Sequence, residues 1–181
     1  QVGGQDELVF DGASFVLNAD ASLAVQMPAW REAIEVIEAV RKDGRWVVRR
    51  GARAVIEEAE AAAYHACMLG LRDYVNEDGF PSVVLGLSGG VDSALGAAIA
   101  VDALGPKRVH CVMLPYRYTS NASLADAAAC AEALGVRYDI VPIAPGVDGL
   151  NAQLAPLFEG RAADITEENV QSRVRGATLM A

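Results

Sequence analysis

The chain has 181 residues, 52% of them hydrophobic, and a net charge of -9 at pH 7. Such a chain can bury a core, and its acidic balance argues against a broad nucleic-acid footprint, which needs clustered Lys and Arg. No apolar run approaches the roughly 20 residues needed to span a bilayer.

Residues 1–25 read as two short strands turning around Gly12. In 26–51 the stretch "PAWREAIEVIEAVRK" reads as a short charged helix, followed by Asp43-Gly44 as a turn and "RWVVRR" as a strand. A long helix is expected from Ala52. Ile56, Ala59, Ala63, Ala66, Gly70 and Tyr74 share one face, and Asn76, Gly79 and Pro81 end it. Val83–Leu87 is an apolar strand, and Val91–Leu104 a helix closed by Gly105-Pro106. Val109–Leu114 is a second strand. Ser123–Leu134 is a helix with Ser123 as N-cap and Gly135 past its end. Val136–Ile143 is a third strand and Val147–Phe158 a helix. Thr166 caps a final helix, with Glu167 and Glu168 in its first turn. Strands alternating with helices predict an α/β fold, a doubly wound parallel sheet whose ligands bind at the carboxyl ends of the strands.

Cys67, Cys111 and Cys130 are odd in number and far apart, with no metal-ligand spacing. They read as reduced core or near-core thiols of a cytosolic protein.

The stretch "VVLGLSGGVDSALGAAIA" joins the first strand of this series to its helix through Ser88-Gly89-Gly90. A helix N-terminus carries unpaired N–H groups and partial positive charge, a setting that binds anions. Glycines permit close approach, and Ser88 and Ser93 can donate hydroxyl bonds. Asp92 would repel phosphate unless it holds Mg2+ together with phosphate oxygens; the plainer alternative is stabilisation of the helix N-terminus. The loop is neither a Walker A sequence nor a dinucleotide fingerprint.

"SGGVDS" resembles the signature of the PP-loop, or N-type, ATP pyrophosphatases, whose fold is adenine-nucleotide alpha hydrolase-like. Three further stretches narrow the resemblance. "QVGGQDELVFDGASFVLNAD" resembles the end of the nitrilase-like glutaminase domain of glutamine-dependent NAD synthetases. "MLPYRYTSNASLADA" resembles the loop after their second strand, and "EENVQSRVR" resembles their dinucleotide-binding helix. The resemblance implies three segments. Residues 1–25 would be the last strands of a glutaminase domain, 26–51 a connector, and 52–181 the first part of a synthetase domain. The chain is then expected to be the middle of a larger enzyme.

The resemblance also implies a reaction: ATP-dependent amidation of deamido-NAD with glutamine-derived ammonia, releasing AMP and pyrophosphate. It implies ATP contacts from Gly86, Leu87, Ser88, Gly89, Gly90, Val91, Asp92, Ser93 and Met113. Asp92 would bind Mg2+, and Arg173 and Asn169 would bind deamido-NAD. A homo-oligomer formed through the synthetase domain is expected, in the cytoplasm, without nucleic-acid or membrane partners. Arg117, Thr119 and Ser120 form a polar loop that either closes over ATP or is ordinary surface. The rival reading is a tRNA-modifying PP-loop protein, which the acidic charge disfavours.

Overall fold

A computed structural model describes residues 1–159 and 165–181. Two compact units divide the chain at Phe80/Pro81.

The first unit holds three antiparallel hairpins and one helix. Strands β1 (Val2–Gln5) and β2 (Leu8–Asp11) pair, as do β3 (Phe15–Leu17) and β4 (Leu23–Gln26). Residues 1–25 therefore carry more strand than the two expected. Strands β5 (Ala39–Lys42) and β6 (Arg45–Val48) form the third hairpin; it takes the last four residues of the helix expected over 28–42, and the rest of that span is not helical either. The physical reason is the turn. Asp43 and Gly44 have φ of 50° and 77°, as a two-residue type I′ connection requires. The apolar residues of that stretch have no core to cover: Ile34 is 96% exposed and Val36 92%.

Helix α1 (Ala59–Glu77) starts later than Ala52. Its buried residues are Leu69 and Val75, while Tyr74 is exposed. The expected face is thus rotated. What seats it is a glycine contact: a Cβ on Gly4 would lie 3.2 Å from Gly70 Cα, and the Gly4 N–H donates to Asp73 Oδ2 at 2.9 Å.

The second unit carries the predicted α/β alternation. Strands β7 (Val83–Gly86), β8 (Val109–Met113) and β9 (Arg137–Ile140) form a parallel sheet in that order. Helices α2 (Val91–Leu104) and α3 (Asn121–Leu134) are the crossovers and pack on each other and on the strands. Their buried residues are all alanines, Ala97, Ala100, Ala127 and Ala131, so the helix backbones lie close. Helices α4 (Ala144–Leu154) and α5 (Ile165–Met180) follow. A Cβ on Gly146 would come within 3.0 Å of Val174 Cγ1, so α4 and α5 also approach closely.

Val112, Leu114, Ile143 and Val147 form a buried cluster, against which Val170, Val174 and Leu179 of α5 pack. Val112 thus faces α4 and α5, and strand alternation turns its neighbours Cys111 and Met113 toward the opposite layer. Helices cover both faces of the sheet, as a doubly wound fold requires.

Several boundaries move for local reasons. Ser120, not Ser123, caps α3: its hydroxyl accepts from the Ser123 N–H at 3.0 Å. Gly135 ends that helix in the left-handed region, φ 66°. α4 starts three residues before Val147, because Pro145 fits a first turn where its missing N–H would have no partner. α5 is helical already at Ile165, so Thr166 lies inside it; the side chain of Glu167 lies outside the described residues. The cysteines are free, but Cys67 is exposed rather than near-core. Among the described residues, no helix is long and apolar enough to cross a membrane.

Truncating Ile143, 3% exposed in the second unit's core, is expected to lower unfolding free energy by about 2–5 kcal/mol. Leu157→Ala, at a position 72% exposed, should stay within about 0.5 kcal/mol. Urea unfolding followed by circular dichroism measures both.

Candidate nucleotide site

The Ser88–Ser93 loop leaves the carboxyl end of β7 and enters α2, whose N-cap is Gly90. Its hydroxyls are turned on one another. The Ser88 N–H donates to Ser93 Oγ at 3.1 Å, and Ser93 Oγ donates to the Gly90 carbonyl at 2.9 Å. The two hydroxyls lie 3.0 Å apart. A serine has one hydroxyl proton, and that of Ser93 is committed to Gly90, so Ser88 is the donor between them. The Gly90 N–H closes the ring on Ser88 Oγ at 3.3 Å. The hydroxyls expected to donate outward are therefore spent holding the loop's shape. The first intrahelical bond is Ala94 N–H to the Gly90 carbonyl, so the N–H groups of Val91, Asp92 and Ser93 precede any helical acceptor. An anion placed at this end would meet amides and the positive end of the helix dipole.

The two glycines differ. Gly89 has φ +81°, and a Cβ there would lie 2.3 Å from the Ser123 carbonyl oxygen and 2.9 Å from Ser123 Cα. Gly90 has ordinary extended dihedrals, and its Cβ would meet nothing nearer than Ser88 Oγ at 3.4 Å. Gly89 is required by the first turn of α3; Gly90 leaves open the side from which a ligand approaches.

Beside the loop lies a cavity of about 430 Å³, within the size range of small-molecule sites. Gly86, Leu87 and Ser88 form one side, Val112, Met113 and Leu114 the floor, and Tyr118, Thr119, Ser120 and Ser123 the far wall. Arg175 and Leu179 of α5 complete it. Ser88 is shared between cavity and loop, so a ligand filling the first can reach the second. Larger cavities of about 660 and 540 Å³ lie in the first unit, but neither opens onto a long helix N-terminus.

Of the expected ATP contacts, Gly86, Leu87, Ser88 and Met113 line this cavity, and Gly89, Gly90, Val91, Asp92 and Ser93 continue from it as the loop and first turn of α2. Asn169 and Arg173 are exposed on α5 and do not line it. Arg175, two residues on, is half-buried, and its Nε donates to the Leu114 carbonyl at 3.3 Å. Sequence spacing placed Arg175 on a different face from Arg173 but did not say which face met the sheet. The residues that decide it are Val170 and Val174, which pack into the core.

Asp92 is exposed, and among the described residues its carboxylate has no ion-pair partner. No group of three His, Cys, Asp or Glu side chains among the described residues could form an all-protein metal cage. A lone exposed carboxylate at a helix N-terminus of this kind fits a Mg2+ that takes one or two carboxylates and completes its shell with ligand oxygens and water.

The NAD synthase family model matches residues 63–181. This chain belongs to that family. A curated relative, the glutamine-dependent NAD(+) synthetase of Rhodobacter capsulatus, is 52% identical over 186 residues, covering 99% of this chain and 33% of that protein. The solved glutamine-dependent NAD+ synthetase of Acinetobacter baumannii, in complex with adenosine diphosphate, is 46% identical with a TM-score of 0.94. The match covers 99% of this chain and 34% of that one. The NH3-dependent NAD synthetase of Campylobacter jejuni is similar over 68% of this chain and 52% of its own, at 26% identity and a TM-score of 0.60. The chain spans about a third of the length of the glutamine-dependent relatives it matches.

Gly89→Ala must combine a left-handed alanine, strained by about 1–2 kcal/mol, with a backbone clash against α3. It is expected to reduce nucleotide binding at least tenfold and to lower the melting temperature. Gly90→Ala should keep the wild-type melting temperature. Calorimetric titration and thermal scans of the two variants provide the comparison.

Proposed function

We propose that the full-length protein carrying this chain is a glutamine-dependent NAD synthetase. The observation that supports this most is the Ser88–Ser93 loop, an amide-lined helix N-terminus flush with a cavity of nucleoside size.

On this reading adenosine occupies the cavity against Leu87 and Met113, and the phosphates lie over the first turn of α2. Asp92 would hold Mg2+ with the phosphate oxygens; when bound, the ion supplies charge neutralisation at the pyrophosphate. The nicotinate carboxylate of deamido-NAD attacks the alpha phosphorus. A carboxylate O–P bond forms, the bond to the beta phosphate breaks, and pyrophosphate leaves. Ammonia derived from glutamine then adds to the acyl carbon, loses a proton and expels AMP, giving NAD. The chain's contribution to the first step is placement and charge stabilisation by fixed amides. Arg173 and Asn169, exposed on α5, are the proposed contacts to deamido-NAD. A guanidinium can grip phosphate or carboxylate in two places at once.

Residues 1–25 are the end of a glutaminase domain, 26–51 a connector and 52–181 the start of a synthetase domain. The enzyme works in the cytoplasm as a homo-oligomer joined through synthetase domains.

Full-length protein given ATP, Mg2+, glutamine and deamido-NAD is expected to release AMP and pyrophosphate in step with NAD. Stoichiometric ADP and phosphate in its place would rule the proposal out.

Arg173→Ala is expected to raise the Michaelis constant for deamido-NAD by about tenfold or more, the effect of losing a charge-assisted hydrogen bond. The constant for ATP should move far less. Steady-state kinetics at one fixed salt concentration measure both, because exposed charge contacts are screened.

A further inference from the structure

The far wall of the nucleotide cavity is the loop joining β8 to α3, and a carboxylate on a different element holds it. Asp148 of α4 follows Val147, which is 1% exposed in the core, so its backbone is anchored. Its two oxygens serve two consecutive loop residues. Tyr116 donates its hydroxyl to Oδ1 at 3.1 Å, and the Arg117 guanidinium donates to Oδ2 at 2.8 Å. The Arg117 guanidinium also lies 5.8 Å from the centre of the Tyr116 ring.

We propose that Asp148 is a positioning residue for nucleotide binding: it clamps Tyr116 and Arg117 so that the cavity wall stands formed before the nucleotide arrives. The proposal rests on the reading of this cavity as the ATP site.

Tyr116 transmits the clamp. Its N–H donates to Thr119 Oγ1 at 3.0 Å and its carbonyl accepts from the Thr119 N–H at 2.9 Å, closing a tight turn. The Tyr118 ring stands edge-on to the Tyr116 ring at 6.1 Å. Tyr118 and Thr119 line the cavity, as does the next residue, Ser120, which caps α3. The first turn of that helix presents Ser123 to Gly89. One carboxylate is thereby connected to both the adenosine wall and the phosphate loop. Burial, then the bond to Asp148, push the Tyr116 hydroxyl above its usual range, and Arg117's own hydrogen bond to Asp148 raises Arg117. Both groups stay in their donor forms.

The clamp is half exposed: Arg117 is 64% and Asp148 41% accessible. An exposed ion pair adds little to global stability. Its effect belongs to the order of the loop, and so to the cost of organising the site on binding. Asp148 lies outside the cavity lining and touches no proposed reacting atom.

The test uses the full-length enzyme, with ATP titrated calorimetrically in the absence of deamido-NAD, and steady-state kinetics alongside. Asp148→Ala is expected to raise the dissociation constant for ATP about fivefold to thirtyfold, the range of one or two lost hydrogen bonds. The turnover number should stay within about twofold and the melting temperature should hold. Asp148→Asn keeps an acceptor for Tyr116 and should recover part of the affinity. Tyr116→Phe should weaken ATP in the same direction, and the double variant should fall short of the product of the single effects.

Wild-type ATP affinity in Asp148→Ala, or single effects that multiply independently, would overturn the clamp. Should Asp148→Ala fail to fold, Tyr116→Phe decides alone: unchanged ATP affinity there overturns the proposal too. A wild-type enzyme that does not bind ATP overturns the site assignment and the clamp together. A wild type that binds ATP without amidating deamido-NAD overturns the proposed reaction, while the Asp148→Ala titration still judges the clamp.

Discussion

The second unit is organised around one close approach, that of Gly89 to the first turn of α3. A side chain at Gly89 would sit 2.3 Å from the Ser123 carbonyl, so the loop after β7 and the helix after β8 meet backbone to backbone. Two strand ends that would otherwise carry independent loops are joined there into one surface. The alanines of α2 and α3 extend the same economy of volume along the helices, letting them settle closely beside each other. Anything that moves α3 therefore moves the Ser88–Ser93 loop, and the loop joining β8 to α3 becomes part of the candidate site although its chemistry is unexceptional.

The site's polar groups follow from the same constraint. With the loop pinned from one side, its shape still needs an internal scaffold, and Ser88, Ser93 and Gly90 provide it as a closed ring of hydrogen bonds. Such a ring satisfies donors that would otherwise be unpaired on an exposed turn. It also divides the labour: the hydroxyls and the Ser88 and Gly90 amides hold the loop, while the N–H groups of Val91, Asp92 and Ser93 precede any helical acceptor. Amides fixed in position need little reorganisation when charge arrives.

The alternation of β7, α2, β8, α3 and β9 was legible because each apolar run ended in a turn signal and each helix closed on a glycine. The Ser88–Ser93 loop was legible because six consecutive residues carry the pattern. Elsewhere local signals competed. Over 28–42 the expected charged helix does not form, and its last four residues join the hairpin that the paired positive φ values of Asp43 and Gly44 fix. Ser120 and Ser123 are both good caps, and sequence cannot choose between them; their mutual hydrogen bond at 2.9 Å shows why both are present. The contacts of Arg175 and Asp148 were not legible for a different reason. Their partners, Leu114 and the pair Tyr116 and Arg117, lie 61, 32 and 31 residues away, and no periodicity within a helix reports a contact of that range. On α1 the expected face included Gly70, which does meet Gly4; it missed Leu69 and Val75, the residues the helix buries.

From Pro81 to Gly105 the chain contains no Lys or Arg, yet it carries Asp92 and Asp102. On the proposed reading this stretch receives a triphosphate in a chain of net charge -9. Its own compensation is the helix dipole, equivalent to roughly half a charge and effective only within the first turn, and that is too little for the load. On the same reading a cation shared with Asp92 would account for the acidic residue, since a carboxylate without one would oppose the ligand. The remaining fixed positive charge must come from other elements. Arg175 reaches the cavity from α5, whereas Arg117 is committed to Asp148 and serves the wall. On that reading phosphate binding would be a property of the assembled sheet edge rather than of the hexapeptide, which would supply amides and one carboxylate for a metal but holds no cationic side chain.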